Sequence, residues 1–542
     1  MIGESAKHLD LDFVLSRIQV HTPYGDVEKR KLRTFEPSEV ERLQEELNRV
    51  EAVVSLLANH RYTIIEIRNQ FKRVRDLSGT LLRIEAEEVL STTELFEVKT
   101  LTDVFGRISA LQKALSWKSP EELTIQPLEE LERLFDPERT GTGTFYIYDA
   151  YSDALKRIRD DIRTYEGRIL SERRAMKTRL EEQLGLKLRP SGEITAAKTD
   201  KELIGNLEAV DELIYNSETY INVTFKIRST PSMDACESHI EFLKGNEEEE
   251  EYNVRSRLSR ELRGWLDQLN SNIRAIGKLD VLLAKGALAT GFQSVKPTLR
   301  SDGGLHISEG RHMRVAHALA KEDKPYTPIS MDLRRGVTCI TGANMGGKTV
   351  TLKLIGMLTA MAQMGLFVPA QEMSFTPRAW LFISVGDEQN SDQGLSTFGA
   401  EMLHIGRILH RADEDGLLLI DELARGTNPR EGYAISRAIL DYLKNRATQA
   451  VVTTHFDGLA DAPEIKHLQV TGLSGVDFEV LRKELDEGGT VGIDAVHQLM
   501  DYRLREIHGP EEVPKDAINI SRLMGLDEGI LADARRILEE KE

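Results

Sequence analysis

One short segment constrains the fold more than any other part of the chain. In GANMGGKT, residues 342–349, the spacing is GxxxxGK[ST], and the segment follows the apolar stretch VTCI and precedes a helical pattern. Glycines at these positions let backbone N–H groups turn toward phosphate, and the following helix offers the partial positive charge of its N-terminus. The segment therefore predicts a nucleotide-binding loop between a strand and a helix.

The same alternation of strand and helix continues beyond this loop. After Gly291 the strand-like stretches GVTCITG, LFISVG, GLLLIDE and ATQAVVTTH are separated by helical patterns. That order is typical of a mostly parallel sheet with helices on its faces. We predict an α/β P-loop domain over residues 291–505 and a C-terminal helical segment over 506–542.

Charged and polar residues at the ends of these strands suit ATP hydrolysis. Lys348 is expected to reach the β- and γ-phosphates of ATP, and Thr349 and Asp421 are expected to ligate Mg²⁺. Glu422 is placed to polarise the attacking water, and His455, which ends VVTTH, to contact the γ-phosphate. The alternatives are a strand that merely ends in two solvated acids and a histidine with a structural role.

The remaining loop contacts with the nucleotide are assigned to Gly342, Gly346, Gly347 and Val350. Residues 385–402, VGDEQNSDQGLSTFGAEM, supply further candidates. In this stretch Gln389 is placed to sense Mg²⁺ or water.

A second helix N-terminus follows Ser396 and Thr397, and it can cap a phosphate. Since the chain already has such a helix at Thr349, this one is expected to serve the nucleotide of another subunit.

The first half of the chain is helical. Apolar residues recur at three- and four-residue spacing from about residue 14 to 119, and residues 145–184 can form one long helix. A strand-like stretch, TYINVTFKI, and a second long helical pattern over 252–289 follow. We predict a helical domain over 1–144 and, over 145–290, two long helices with a small β-containing insertion near 200–250.

Charge limits the contacts that the chain can make with nucleic acid. Its formal charge of −18 argues against a uniformly attractive surface, so any DNA contact must be local. Residues 151–190 carry eleven Lys and Arg against seven acids, which suits either a phosphate backbone or an exposed helix with i,i+4 pairs. The run Glu247 to Glu251 is interpreted as a solvated loop, with an acidic docking element as the alternative.

Composition also bears on the compartment. The two cysteines, Cys236 and Cys339, are far apart and lack metal-ligand spacing, so neither a disulfide framework nor a zinc site is expected. No signal-like start and no long apolar run is present, so we expect no membrane span and a cytoplasmic protein.

Four motifs in fixed order carry a family resemblance. TGANMGGKT, LSTFGAEM, DELARGT and TTHFDGL together resemble the MutS family of ABC-type ATPases. The segment GDEQNSDQGLSTF is similar to the corresponding segment in proteins of the family's second bacterial branch, which is not engaged in mismatch repair. By the same resemblance, the helical half corresponds to the family's core domain, its long lever helices and its small β clamp.

The resemblance implies an ATP-driven homodimer that forms through the ATPase domains, with Ser396 and Thr397 of one subunit completing the site of the other. It also implies that Tyr326 stacks on adenine and that Asn344 helps to order the closed nucleotide state; ordinary packing and a plain turn are the alternatives. The C-terminal helices would pack between subunits, or form an amphipathic tail on their own domain.

Some departures from the family pattern matter for function. Ala343 stands where proline is usual and Ala424 where many members have glycine, and both changes should spare the chemistry. No phenylalanine is followed by glutamate two positions later, so mismatch sensing through that motif is not expected. The sequence stops soon after the closing helices, so nicking by a C-terminal nuclease extension is not expected either.

Two classes of function stay open at this level. The first is a DNA-acting ATPase whose dimer closes its arms, through residues 151–190, around duplex or branched DNA. The second is a protein-remodelling ATPase, similar to the MutS-like subunit of the lysine 5,6-aminomutase reactivase, with a cobalamin-dependent aminomutase as its client. A ribosome-directed member is not separated from these two.

Overall fold

The computed structural model of the protein describes residues 5–115, 117–138, 144–342, 347–385, 397–424, 427–456, 458–472, 501–508, 518, 521 and 526–539. Its contacts divide the chain into two compact units. Unit 1 comprises Met1–Lys72, Ala114–Trp117 and Ile276–Glu542, and unit 2 comprises Arg73–Lys113 and Lys118–Ala275. The domain boundaries that the sequence suggests at residues 144, 290 and 505 stay predictions.

Unit 1 begins with five helices. They are α1 (Ser5–His8), α2 (Leu11–Ser16), α3 (Pro23–Arg30), α4 (Val40–Asn59) and α5 (Arg61–Phe71). The longest, α4, buries Leu43, Leu47, Val50, Val53 and Leu56, whose spacing of three and four residues defines one apolar face.

Unit 2 contains six helices and a small sheet. The helices are α6 (Ser78–Glu85), α7 (Thr92–Ala114), α8 (Glu129–Phe135), α9 (Asp153–Leu184), α10 (Lys201–Glu208) and α11 (Pro231–Leu262). The strands are β1 (Glu193–Ala197), β2 (Leu213–Glu218) and β3 (Asn222–Ile227), in the antiparallel order β1-β3-β2.

The helices α9 and α11 each have 32 residues and pack against one another. The hydroxyl of Ser152 accepts a hydrogen bond from Leu155 N–H at the start of α9, and Gly185 ends that helix in the left-handed conformation. The small sheet has its own core, in which Leu180 of α9 and Met233 of α11 pack with Phe225 of β3. The long helix predicted over residues 145–184 begins at Asp153, and the strands of the predicted β insertion lie over residues 193–227. The domain division drawn from this pattern stays a prediction.

The interpretation of Glu247 to Glu251 as a solvated loop is wrong. These residues lie within α11, where a separation of four residues places Glu247 and Glu251 on one face. The Arg159 guanidinium of α9 donates to Glu247 Oε1 at 2.7 Å, to Glu251 Oε1 at 2.6 Å and to Asp149 Oδ1 at 2.7 Å. This part of the acidic run therefore joins two helices.

The rest of the described chain contains six helices and ten strands. The helices are α12 (Leu266–Gly291), α13 (Met313–Lys321), α14 (Lys348–Gln363), α15 (Thr397–Leu409), α16 (Pro429–Leu443) and α17 (Glu528–Glu539). The strands are β4 (Thr298–Leu299), β5 (Leu305–Gly310), β6 (Ile329–Leu333), β7 (Gly336–Thr341), β8 (Glu372–Phe375), β9 (Trp380–Ser384), β10 (Gly416–Ile420), β11 (Gln449–Thr453), β12 (Ile465–Gly472) and β13 (Asp501–Glu506).

Ten of these strands form two mixed sheets. The larger has the order β13-β12-β7-β11-β10-β9, in which β13 is antiparallel to β12 and the other neighbours are parallel. Every residue of β7, β10 and β11 is buried, as expected for central strands that are covered on both faces. The smaller sheet has the order β4-β8-β5-β6. The protein thus has a mixed α/β fold.

The helix α14, which follows the P-loop segment, is buried on nearly all sides. Thirteen of its sixteen residues are buried, and the strands β9, β10 and β11 pack against it. A methyl group added at Gly356 of α14 would lie 2.3 Å from Leu9 Cδ2, and Phe35 N–H donates to Gln363 O at 2.8 Å. The first 35 residues therefore help to hold α14 in place.

A buried carboxylate also anchors the N-terminal helices. Asp280 of α12, 1% exposed, accepts hydrogen bonds from His21 N–H, Thr22 N–H and Thr22 Oγ1–H, each at 2.8 Å. A methyl group added at Gly25 of α3 would lie 2.4 Å from Asp280 Oδ2, so the approach requires glycine. Burial raises the pKa of Asp280 above its ordinary value, and these hydrogen bonds oppose that rise.

Candidate nucleotide-binding site

The two described glycines of the P-loop segment lie in conformations that other residues rarely adopt. Gly342 directly follows β7 with φ of 134°, and Gly347 precedes α14 with φ of 77°. A methyl group at Gly342 would lie 3.0 Å from Val470 Cβ, and one at Gly347 would lie 2.9 Å from the Tyr502 ring. Both glycines are therefore required by backbone conformation and by close packing.

Lys348 is the first residue of α14, and its side chain is buried. It is 5% exposed, and its ammonium donates to Gly342 O at 2.7 Å, across the base of the loop. Burial lowers the pKa of Lys348 to about 8, although the negative charges of Glu422 and Asp421 raise it. A phosphate would give this ammonium a charged acceptor in place of a carbonyl.

Two threonines hold the carboxylate that follows β10. Asp421 Oδ2 accepts from Thr349 Oγ1–H at 2.6 Å, and Asp421 Oδ1 accepts from Thr453 Oγ1–H at 2.7 Å. Thr453 Oγ1 in turn accepts from the backbone N–H of Glu422 at 2.8 Å. Hydroxyl and carboxylate oxygens side by side are the donor set that Mg²⁺ prefers, so Thr349 and Asp421 fit such an ion.

Glu422 and His455 lie side by side at the same edge of the sheet. His455 Nε2 is 2.5 Å from Glu422 Oε1, within hydrogen-bond reach. Glu422 has φ of 55°, a left-handed conformation that ends the extended backbone of β10. Both side chains remain partly exposed, so water can reach them.

The structure thus brings together Lys348, Thr349, Asp421, Glu422 and His455, which the sequence places at this site. The reason is geometric, because neighbouring parallel strands present their carboxyl ends at one edge of a sheet. The individual roles of these residues stay predictions.

Two other predicted residues, Tyr326 and Val350, are also described. Tyr326 follows α13, and its hydroxyl accepts from His312 N–H at 3.0 Å. Burial raises the pKa of Tyr326. This hydrogen bond suits a packing role and leaves adenine stacking a prediction. Val350 is half-buried in the first turn of α14.

Several predicted residues fall outside the described part of the chain. These are Asn344, Gly346, Gln389 and Ser396. Thr397 begins α15, but only its backbone is described. Their roles also stay predictions.

Two residues of this region were missed by sequence reasoning. Thr453 connects Asp421 to Glu422, and the polar end of VVTTH was an available signal for it. Tyr502 lies against Gly347 because β13 pairs antiparallel with β12, and no local pattern announces that pairing.

The strand order, the GxxxxGK[ST] segment and the acidic strand end are those of a P-loop nucleotide-binding domain. Comparison with known proteins narrows this class. Residues 338–540 match MutS domain V.

The chain is also similar to proteins named endonuclease MutS2. It is 30% identical to the protein of Shouchella clausii over 476 aligned residues. The alignment covers 85% of this chain and 56% of the relative. It is 28% identical to the protein of Carboxydothermus hydrogenoformans over 529 aligned residues, and this alignment covers 94% of this chain and 61% of the relative. It is 39% identical to the protein of Acetivibrio thermocellus over 227 aligned residues, and this alignment covers 41% of this chain and 28% of the relative.

The chain therefore spans about half the length of the two relatives that it matches over most of its own length. Both kinds of similarity support a MutS-family protein. They give no support to the reactivase alternative. Among the described residues, no helix has the length and apolarity required to cross a membrane.

Proposed function

We propose that the protein is a Mg²⁺-dependent ATPase of the MutS family that works as a dimer on DNA. The observation that carries the ATPase part is the continuous set of hydrogen bonds from Thr349 through Asp421 and Thr453 to Glu422. It joins the two oxygens that would hold Mg²⁺, on Thr349 and Asp421, to a candidate base, next to the buried cation of Lys348.

In this mechanism Lys348 binds β- and γ-phosphate oxygens, and Thr349 and Asp421 hold Mg²⁺, which neutralises phosphate charge when bound. Glu422 accepts a proton from water as the water oxygen bonds to the γ-phosphorus and the bond to the ADP oxygen breaks. His455 orients the Glu422 carboxylate through their contact, and its predicted contact with the γ-phosphate belongs to the same proposal.

The decisive experiment for hydrolysis is Glu422→Gln. The amide keeps the size of the side chain but cannot take the proton, so we expect ATP binding within about threefold and hydrolysis slower by about two to four orders of magnitude. Glu372→Gln, at an exposed glutamate of β8, is the matched control and should leave both unchanged. Rapid hydrolysis by the Glu422→Gln variant would remove Glu422 from this role.

The dimer part of the proposal rests on the family resemblance and on the start of α15 at Thr397. If each site uses Ser396 of its neighbour, Ser396→Ala and Lys348→Ala are each inactive alone. Mixed dimers of the two variants should recover hydrolysis, because one of their two sites is intact. No recovery on mixing, with mixed dimers detected, would show that the sites work alone.

The DNA part is supported by the name endonuclease MutS2 of the relatives and by exposed cations on α9. Acids of unit 2 engage the charges of Arg159 and Arg163, whereas Arg173 and Arg174 are adjacent, exposed cations. This adjacent pair is therefore a better candidate for contact with phosphate than Arg159 or Arg163.

The test is binding to duplex, branched and single-stranded DNA at several salt concentrations. Replacing Arg173 and Arg174 together by alanine should reduce the slope of log K against log salt by about 2 if both contact phosphate. Arg446→Ala, which removes a surface partner of Asp413, is the control. Absence of salt-dependent binding to any of these DNAs would contradict the DNA part and leave the ATPase part intact.

A further inference from the structure

Two loops at the edge of the large sheet carry the side chains that the proposed hydrolysis uses. Glu422 lies in the loop after β10, and His455 lies in the loop after β11. Because His455 Nε2 is 2.5 Å from Glu422 Oε1, the relative position of the two loops sets this contact. The groups that hold the loops together therefore decide where the Glu422 carboxylate lies.

Both loops pack against Gly432, near the start of α16. A methyl group added at Gly432 would lie 3.0 Å from Phe456 Cζ and 3.3 Å from Ala424 O. Phe456 directly follows His455, and Ala424 follows Glu422 by two positions. Since ordinary contacts of a carbon atom lie at about 3.5–4 Å, a larger residue at this position would displace at least one of the two loops.

Further contacts attach the same helix to these loops. One turn beyond Gly432, the hydroxyl of Ser436 is buried and donates to Leu423 O at 3.2 Å. The Tyr433 ring meets the Phe456 ring edge to face, with the two centroids 6.2 Å apart and 85° between the ring planes. The first half of α16 is therefore in contact with both loops.

The loop after β10 needs such support because of its backbone. Glu422 has φ of 55° and Ala424 has φ of 62°, so two residues other than glycine adopt the left-handed conformation within three positions. Such a conformation persists only when surrounding contacts hold it. Ala424 is 2% exposed, and its carbonyl oxygen is one of the atoms that approach Gly432.

We propose that Gly432 is a positioning residue for ATP hydrolysis, which lets α16 seat the Glu422 loop and the His455 loop together. The proposal rests on the function proposed above. Glycine inside a helix is less favourable for folding than alanine, because it loses more backbone entropy. A substitution here therefore separates function from stability, since alanine favours the helix and displaces the loops.

The test is Gly432→Ala. We expect kcat to fall by about tenfold or more, because misplaced catalytic groups lose rate steeply, while ATP affinity stays within about threefold and the unfolding midpoint does not fall. Gly167→Ala, within α9, is the matched control and should leave kcat unchanged, because a methyl group there meets no atom within 4 Å.

Phe456→Leu removes the tip of the ring from the same contact without adding an atom at Gly432. Its kcat should fall by about threefold or more with ATP affinity kept, and it takes the place of Gly432→Ala if that variant does not fold.

Steady-state kinetics, equilibrium binding of a non-hydrolysable ATP analogue and thermal unfolding separate the outcomes. A lower unfolding midpoint with kcat and affinity reduced together would show a role in stability alone, and that result would overturn the proposal. Unchanged kcat in the folded variant would also overturn it. A normal rate in Glu422→Gln instead contradicts the proposed function itself, so the two failures are distinguishable.

Discussion

Raising the pH from 7.5 to 9 should weaken ATP binding, because it removes the proton from Lys348 in the nucleotide-free protein. The side chain is 5% exposed, and its ammonium donates to the carbonyl of Gly342 at 2.7 Å. Burial lowers the pKa to about 8 from an ordinary value of 10.5, in spite of nearby Asp421 and Glu422. Lys348 is therefore charged below about pH 8 and neutral above it.

The magnitude follows from this pKa. With a pKa of about 8, the protonated fraction falls from about 0.8 at pH 7.5 to about 0.1 at pH 9, so affinity should fall about eightfold. Phosphate oxygens favour the charged form, so binding at pH 8 should also take up about half a proton. Equilibrium titration with a non-hydrolysable ATP analogue measures the first effect. Calorimetry in two buffers of different ionisation enthalpy measures the second.

Lys348→Arg is the control, because a guanidinium stays charged throughout this pH range. Its affinity for ATP is expected to be lower but nearly constant between pH 7.5 and 9. The same affinity at both pH values in the unaltered protein would refute the assignment of a lowered pKa to Lys348. An equal fall in the arginine variant would show that another group is responsible.

Two further predictions concern residues that hold the site and the fold. Thr453→Val removes the hydroxyl between Asp421 and Glu422, so kcat should fall by about tenfold or more, whereas Thr453→Ser should stay near normal; equal rates in steady-state assays would contradict this. Asp280→Ala removes the acceptor of two backbone N–H groups and a hydroxyl, and should lower the free energy of unfolding by about 2–4 kcal/mol in urea titrations. Asp413→Ala, at an exposed ion pair, is the control and should lower the free energy of unfolding by under about 1 kcal/mol. A similar loss of stability in the Asp280 and Asp413 variants would refute the anchoring role of Asp280.

The sequence alone was enough to predict a candidate nucleotide site and to group five residues that the structure brings together there. A P-loop is one contiguous segment whose glycines, lysine and threonine have fixed spacing, so local pattern suffices to find it. The proximity of Asp421, Glu422 and His455 could be predicted because each ends or follows an apolar strand, and parallel strands present those ends together. The long helix α9 was likewise visible in its periodicity.

Only the tertiary structure decided which residues, distant in sequence, contact the candidate site and the long helix α9. The pairing of β13 with β12 places Tyr502 against Gly347, and the hydroxyl of Thr453, on β11, connects Asp421 to the N–H of Glu422. The structure also showed that Glu247, predicted to lie in a loop, belongs to a helix and accepts a hydrogen bond from Arg159. These contacts join residues more than 20 positions apart, and helical or strand periodicity records only which face is apolar, not which neighbour will cover it.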